Sequence, residues 1–194
     1  MKKISMERTY FRVNGEYWEW EKSGQIFVFG IEVPDENILI TLEDVNGVIK
    51  CFNLPINVNN GNANKKEDFN CLKEIFHNNI IDKRDINFDS MENELIKIRK
   101  NNGVLEYGIV VIFNGTKYKF FNPEGTHEPA IWGKASADGL VLVNNKFLHA
   151  TRHEIGHMIG LGRHHEGCIM SYASPTREFC ENCRKEIGEN WDFE

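Results

Sequence analysis

The feature that most constrains the fold and chemistry of this chain is an H-E-x-x-H motif at residues 153–157. On an α-helix, two histidines four positions apart are rotated by only about 40° from each other, so both imidazoles lie on one face. Zinc binds nitrogen ligands tetrahedrally and keeps one position open for water in catalytic sites. His153 and His157 are therefore candidate zinc ligands, and Glu154 is the candidate general base that takes a proton from the attacking water.

The residues around the motif support a helix that ends just after it. Apolar or small side chains recur at helical spacing and predict one buried stripe, formed by Phe147, Leu148, Thr151, Ile155, Met158 and Ile159. Gly160 and Gly162 follow, and glycine is the residue that most readily adopts the left-handed conformation that ends a helix. The turn can bring a third ligand back to the metal, and His164 and His165 lie where that ligand is expected.

Three of the five cysteines lie near the C-terminus and predict a second metal site. Cys180 and Cys183 form a C-x-x-C pair, whose spacing suits two thiolates on one tetrahedral zinc. Cys168 offers a third thiolate, and one of the paired histidines offers the fourth ligand. A redox pair would be expected beside a βαβ unit, which the pattern does not predict here. Reduced thiols or one disulfide remain the alternatives to a structural zinc.

These motifs together resemble those of the archaemetzincins, a branch of the metzincin zinc peptidases. The resemblance covers roughly Gly133 to Cys183 and rests on the H-E-x-x-H motif, Gly160, the following histidines, Cys168-Ile169-Met170 and the C-x-x-C pair. It implies a mixed twisted sheet, an active-site helix and a small C-terminal subdomain stapled by zinc. It also implies a catalytic zinc on three histidines, a structural zinc held largely by cysteines, and a methionine turn, here at Met170.

The chain departs from the family pattern at the third histidine. The family has histidine three residues after the glycine, whereas Arg163 stands there in this chain and histidine comes one position later. A one-residue insertion in the turn explains this, with His164 on the catalytic zinc and His165 on the structural zinc. The swapped assignment, or the use of only one of the two, stays open. Tyr172 is a candidate for support of the transition state, against a plain buried aromatic.

The remaining sequence predicts an α+β protein with a separate N-terminal unit. Apolar runs flank Asn14-Gly15 and Asn46-Gly47 and predict two hairpins, with strands that include 37–42 and 48–52. We therefore expect a small β-rich unit over 1–57, a polar asparagine-rich linker over 58–68, and a zinc metallopeptidase domain over 69–194. In that domain we expect helices over 69–81 and 89–100, a buried central strand over 108–113 paired with 117–121, and strands over 131–135 and 140–143.

Composition limits the partners and the location that we expect. Hydrophobic residues make up 41% and charged residues 27%, as in ordinary globular proteins. The net charge of −6 and the lack of a basic run argue against nucleic acid. No apolar stretch is long enough to span a membrane, and no signal peptide is apparent, so a cytoplasmic location is expected.

The predicted function is zinc-dependent hydrolysis of peptide bonds, with a peptide or protein as substrate. The substrate would lie extended along an edge strand within 131–143. Two alternatives remain open at this point. In a gluzincin-type peptidase the third ligand would be a downstream glutamate, Glu178 or Glu181. In a non-catalytic zinc module, the N-terminal unit would bind partners, although Glu154 has no role in such a site.

Overall fold

The fold is built on one five-stranded sheet with helices on both faces. The computed structural model describes residues 19–121, 131–162, 166–171 and 176–191. Its strands are β1 (Gln25–Ile31), β2 (Asn57–Asn60), β3 (Ile80–Ile81), β4 (Asp85–Ile86), β5 (Gly108–Phe113), β6 (Lys119–Phe120), β7 (Gly133–Ser136) and β8 (Leu140–Asn144). Its α-helices are α1 (Asp35–Cys51), α2 (Gly61–Asn64), α3 (Lys66–Asn78), α4 (Phe88–Asn102), α5 (Thr151–Met158) and α6 (Glu181–Asn190). Short 3-10 helices span Glu19–Ser23 and Asn145–Ala150.

The strand order of the main sheet is β2-β1-β5-β8-β7. The first four strands run parallel, and β7 is antiparallel to β8 at the edge. Every residue of β5 and β8 is buried, which explains their uninterrupted apolar sequences, because helices cover both faces of such strands. The short strands β3, β4 and β6 form a separate small sheet. The mixed twisted sheet and the helix that carries the H-E-x-x-H motif, both expected from the sequence, are present.

Alternate side chains of the central strands enter two different cores. Val110 and Ile112 of β5 belong to the core that contains α1, α5 and the C-terminal segment, whereas Ile109 and Val111 face α3 and α4. The C-terminal segment packs against the same core as α5, and Trp191 Nε1 donates a hydrogen bond of 2.8 Å to the carbonyl of Ile159. The tail is therefore anchored to the end of α5 as well as to the sheet.

The predicted β-rich N-terminal unit is wrong for residues 19–57. The stretches 37–42 and 48–52, predicted as strands, belong to or directly follow the single helix α1, and Asn46-Gly47 lies inside that helix. Its buried residues recur at helical spacing, as Ile38, Thr41, Val45, Val48 and Ile49. The local preference of β-branched residues for strands misled the prediction, because packing of this face against the sheet outweighs that preference. The first predicted hairpin, before residue 19, lies outside the described residues.

The predicted domain boundary is corrected for the same region. Strand β1, from the predicted N-terminal unit, pairs with β2 on one side and with β5 on the other. Residues 25–57 therefore contribute to the same sheet and core as the rest of the chain. The predicted linker 58–68 contains most of β2, all of α2 and the start of α3. Its asparagines make specific bonds: Asn60 caps α2, and Asn62 bonds both the N–H and the carbonyl of Gly30.

Several predictions for the second half are confirmed, and two details are corrected. The helices predicted over 69–81 and 89–100 correspond to α3 and α4, and β5, β7 and β8 lie where strands were expected. The segment 117–121 does not form a hairpin with β5, since β6 pairs in parallel with β4. The helix predicted over 69–81 ends at Asn78, and Asp68 lies in its first turn, where it accepts a hydrogen bond of 2.6 Å from the hydroxyl of Tyr107. Over the described ranges, no helix combines the length and apolar character needed to cross a membrane.

Candidate functional site

The H-E-x-x-H motif lies on the short helix α5, which packs against α1, β7 and β8. The prediction that this segment is helical is confirmed, but the α-helix begins only at Thr151. Before it, the 3-10 turn of residues 145–150 is broken at Phe147, whose φ of −132° and ψ of 45° are not helical. On the other side, Arg152 Nε donates a hydrogen bond of 2.8 Å to Asp44 Oδ1 of α1. This ion pair fixes the rotation of α5 against α1.

The two imidazoles of the motif point their Nε2 atoms at one another. The Nε2 atoms of His153 and His157 are 3.0 Å apart. The Nδ1 of His153 is 2.9 Å from the carbonyl oxygen of Ile169, and the Nδ1 of His157 is 2.7 Å from that of Leu161. A carbonyl only accepts, so each Nδ1 carries the proton and each Nε2 presents a lone pair. Two converging imidazole lone pairs are the donor pattern of a metal site.

The geometry of the pair fits one zinc ion. Two nitrogens, each at about 2.1 Å from a tetrahedral zinc, are roughly 3.4 Å apart, close to the observed separation. Backbone carbonyls that hold the other ring nitrogen are the usual second layer around such ligands. His164 and His165, the candidates for the third ligand and for the structural site, lie outside the described residues. The exposed Glu178 and Glu181 form no metal-binding group with the imidazoles within the part of the chain that the structure describes.

The turn after α5 has the hydrogen-bonding pattern of a Schellman cap. Leu161 N–H donates to the carbonyl of Gly156, and Gly160 N–H donates to that of His157, with distances of 2.9 and 3.1 Å. Gly160 has a φ of +108°, a value that residues with a side chain disfavour. The prediction that this glycine ends the helix is therefore confirmed. The reversal places the carbonyl of Leu161 beside His157. The cap therefore both ends the helix and orients the imidazole of His157, a candidate zinc ligand.

Met170, the predicted methionine turn, lies fully buried against the motif helix. A Cβ atom added to Gly156 would lie 2.5 Å from the sulfur of Met170. The absence of a side chain at Gly156 thus lets the thioether approach the helix between the two histidines. The residue before it, Ile169, supplies the carbonyl that holds His153. Residues 169 and 170 consequently support the ligand pair through backbone and side chain together.

Glu154 is buried beside the edge strand β7. Only 8% of the residue is exposed, and burial raises the pKa of its carboxyl group to about 8. A divalent cation on the neighbouring imidazoles stabilises the carboxylate and acts in the opposite direction. A Cβ atom added to Gly133, the first residue of β7, would lie 2.6 Å from Glu154 Cγ and 3.0 Å from Oε1. The edge strand therefore touches the candidate general base.

The hydrogen-bond register of β7 leaves half of its polar groups facing outward. Asn144 N–H donates to the carbonyl of Trp132, so this pair and every second pair after it bond across to β8. The intervening residues, Gly133 and Ala135, direct their N–H and C=O groups away from β8. Among the described residues, no strand pairs with this side of β7. An extended peptide can hydrogen bond there as an added strand.

The three C-terminal cysteines come together at the base of the tail. The Sγ atoms of Cys168 and Cys183 are 3.3 Å apart, those of Cys180 and Cys183 are 3.7 Å apart, and all three lie within 4.8 Å of one another. A disulfide requires about 2.05 Å, so these sulfurs are free thiols. Sulfurs at about 2.3 Å from a tetrahedral zinc are roughly 3.8 Å apart. The cluster could therefore bind a metal.

The environment of the cluster differs from one thiol to the next. Burial raises the pKa of Cys183, and hydrogen bonds with Cys168 and Cys180 raise it further. For Cys180, burial also acts to raise the pKa, but hydrogen bonds from the backbone of Cys183 and from the other thiols outweigh it and lower the pKa. Cys180 is thus the first of the two to become a thiolate, the form that binds metal.

Comparison with known proteins identifies the fold. No protein-family model matches the sequence, and the search of curated proteins gives no significant match. The structure matches the crystal structure of archaemetzincin from Methanopyrus kandleri with a TM-score of 0.52, over 86% of this chain and 94% of that chain. The two sequences are 17% identical over this match. The chain has an archaemetzincin-like fold. The resemblance inferred from the motifs is therefore confirmed at the level of the fold.

Several parts of the candidate site were not predicted from the sequence. The carbonyls of Ile169 and Leu161 hold the imidazoles, but a backbone acceptor leaves no mark in residue identity. The Arg152–Asp44 pair joins residues 108 positions apart, which no local pattern reveals. Gly133 did carry a signal, since a glycine in a strand often marks close backbone approach. Tyr172, the candidate for transition-state support, lies outside the described residues.

Proposed function

We propose that this protein is a zinc-dependent peptidase that hydrolyses peptide bonds, with Glu154 as the general base. The observation that carries the proposal is the convergence of His153 Nε2 and His157 Nε2 beside the buried carboxyl group of Glu154. A purely structural metal site has no use for a carboxylate at this place. The archaemetzincin-like fold supports the same class of enzyme.

The chemistry divides between the metal and the side chains. Zinc held by His153, His157 and, as predicted, His164 would polarise the scissile carbonyl and lower the pKa of water toward about 7. Glu154 accepts a proton from the attacking water and returns it to the departing amine. Its burial favours this exchange, because a carboxyl group shielded from solvent holds a proton more readily than an exposed one.

The substrate is proposed to bind along the outer edge of β7. Gly133 and Ala135 present N–H and C=O groups on this edge, and a peptide strand there runs past Glu154, which Gly133 touches. Main-chain hydrogen bonds of this kind fix the position of a peptide without selecting its side chains. A general peptide or protein substrate therefore fits the site.

A second zinc is proposed at Cys168, Cys180 and Cys183, with His165 as the fourth ligand. Its role is structural, because a short tail with few strands gains folding energy from a metal. The site also affects catalysis indirectly. Cys168 directly precedes Ile169, whose carbonyl holds His153, so a metal on Cys168 fixes the segment that orients a catalytic ligand.

Peptide cleavage by parent and variant proteins tests the proposed function. Purified protein is incubated with a diverse peptide library, and new termini are identified by mass spectrometry. We expect cleavage by the parent and at least about a 10²-fold loss in Glu154→Gln, which cannot accept a proton. Glu178→Gln is the matched control, because Glu178 is an exposed glutamate of the tail; it should cleave like the parent.

The same cleavage assay, with the zinc content of each protein and with His164→Ala added, separates the alternatives. Equal cleavage by the parent and Glu154→Gln would contradict the role of Glu154. Loss of zinc and activity in Glu178→Gln, with both kept in His164→Ala, would instead establish a downstream glutamate as the third ligand. No cleavage by a parent that holds zinc at His153 and His157 would leave a zinc-binding protein without peptidase activity.

A further inference from the structure

An exposed group of aromatic rings lies directly beside the candidate active site. Trp132 stacks on Phe147, with ring centroids 5.3 Å apart and planes 17° from parallel, and meets His149 edge-on at 4.8 Å. Phe147 and His149 are also in contact, at 6.1 Å. Although Trp132 is held by two rings, 39% of it stays exposed. We call these three residues the aromatic platform.

The backbone around Trp132 fixes the position of the aromatic platform relative to Glu154, the proposed general base. The carbonyl of Trp132 accepts a hydrogen bond from the backbone N–H of Asn144, and the next residue, Gly133, packs on Glu154. A strand advances about 3.3 Å per residue, so Trp132 lies within one or two residues of the point where a bound peptide would be cut. His149 is four residues before His153 in the segment that leads into the motif helix.

The backbone of the turn before α5 is shaped to present the rings. Phe147 leaves the helical conformation, and this break separates the 3-10 turn from a continuous helix. An unbroken helix through Phe147 would carry its ring at a different angle and lose the parallel stack with Trp132. The break therefore holds Phe147 and His149 as a backing for the indole of Trp132, of which 39% is exposed.

We propose that the aromatic platform is a specificity subsite, which binds an aromatic or large apolar side chain of a peptide paired with β7. This inference rests on the proposed peptidase function and adds the substrate class to it. The platform adjoins the proposed peptide-binding edge of β7, so a peptide bound there places one side chain beside the exposed indole. A ring or branched apolar chain loses water there and gains offset contacts with the indole, whereas alanine is too short to reach.

Matched peptides test the subsite. Starting from a peptide that the parent cleaves, each of the two positions on either side of the cut is changed, one at a time, to Phe, Leu, Ala or Lys. The proteins are the parent, Trp132→Ala, Trp132→Phe and Val104→Ala, the last a control at an exposed apolar residue of the α4–β5 connection. We expect the parent to favour Phe and Leu over Ala by roughly tenfold in kcat/KM at one position, equivalent to one ring contact.

The expected result is a change in selectivity rather than a general loss. In Trp132→Ala the ratio of Phe to Ala peptides falls toward one, while Ala peptides are cleaved as before; Trp132→Phe keeps most of the preference, and Val104→Ala keeps all of it. An unchanged ratio in Trp132→Ala would overturn the subsite and leave the peptidase intact. A parental preference for Lys over Phe would overturn the apolar class, since it indicates cation–π binding.

A binding measurement makes the inference independent of turnover. The affinity of the Phe and Ala peptides is measured by calorimetry on Glu154→Gln, with and without Trp132→Ala, after thermal unfolding shows that each variant is folded. Tighter binding of the Phe peptide that depends on Trp132 supports the subsite whatever the rates of cleavage. Equal affinities in both proteins would overturn it, whatever the outcome for peptidase activity.

Discussion

At the scale of single residues, the absence of a side chain at Gly133 makes room for the carboxyl group of Glu154. The Glu154 carboxyl group occupies the space that a Cβ atom on Gly133 would need, 2.6 Å from Cγ. The carbonyls of Ile169 and Leu161 hold the two histidines, and Arg152 joins the same helix to Asp44 of α1. The proposed general base, which is part of α5, is thus confined against the edge strand β7.

Gly133→Ala should impair catalysis without unfolding the protein. The added methyl group displaces the carboxyl group, and a misplacement of about 1 Å at a reacting group can cost about 10²-fold in rate. Steady-state kinetics on a cleaved peptide measures the change in kcat/KM. Gly188→Ala is the control, because a Cβ atom there meets nothing within 4 Å on α6 and alanine favours a helix. Parental activity in Gly133→Ala would show that Glu154 does not need its present position.

At this scale the sequence predicted the candidate zinc ligands and Glu154, but not the backbone carbonyls that orient the imidazoles. His153, Glu154, His157 and the three cysteines could be selected because the chemistry of zinc fixes both residue type and spacing. The carbonyls that set the imidazole tautomers could not, because every residue has a carbonyl and only the tertiary fold selects the one that is used. Met170 was recognised from the family pattern, but its contact with Gly156 follows only from the packed structure.

At the scale of secondary-structure elements, the edge of β7 and the turn before α5 define the site. The N–H of Ala135 points outward, away from β8, and the buried guanidinium group of Arg99 holds the β7–β8 turn by donating to the carbonyl of Asp138. The same guanidinium donates to the carbonyls of Leu105 and Tyr107 at the start of β5. The edge is therefore held on its inner side, and no strand of the described residues pairs with its outer side.

Ala135→Pro should weaken substrate binding and preserve the sheet. Proline removes the outward N–H and leaves the bonds between β7 and β8 in place, as is typical of proline on edge strands. We expect kcat/KM to fall by about tenfold, the loss of roughly one hydrogen bond to the peptide. Ala135→Ser, which keeps the N–H, serves as the control in the same assay. If Ala135→Pro cleaved peptides as well as the parent, β7 would not be the substrate strand.

The elements also show where pattern-based prediction fails. Strand β5 and helix α4 were predicted because a fully buried apolar run and a helix ended by Gly103 each have one interpretation. Helix α1 was missed because its Ile and Val residues favour strands locally, while the sheet that overrides them is formed by residues distant in sequence. The segment 58–68 was read as a linker because hydrogen bonds such as those of Asn62 to Gly30 cannot be inferred from composition.

At the scale of the whole molecule, both candidate metal sites lie on one side of the main sheet. The core that contains Ile155 and Met158 of α5 also contains Cys168, Cys183 and Trp191 of the tail. Loss of either site should therefore affect the other through the segment of Ile169 and Met170.

The central claim is that the paired imidazoles hold a catalytic zinc, and zinc content measured together with peptide cleavage tests it most directly. The parent, His157→Ala and Cys183→Ser are purified without added metal and analysed by plasma mass spectrometry, thermal unfolding and peptide cleavage. We predict two zinc ions in the parent and one in each variant. His157→Ala should stay folded and lose activity, while Cys183→Ser should unfold at a lower temperature, because a structural zinc contributes folding energy. If His157→Ala held as much zinc as the parent, or if it kept full activity, the account would be contradicted.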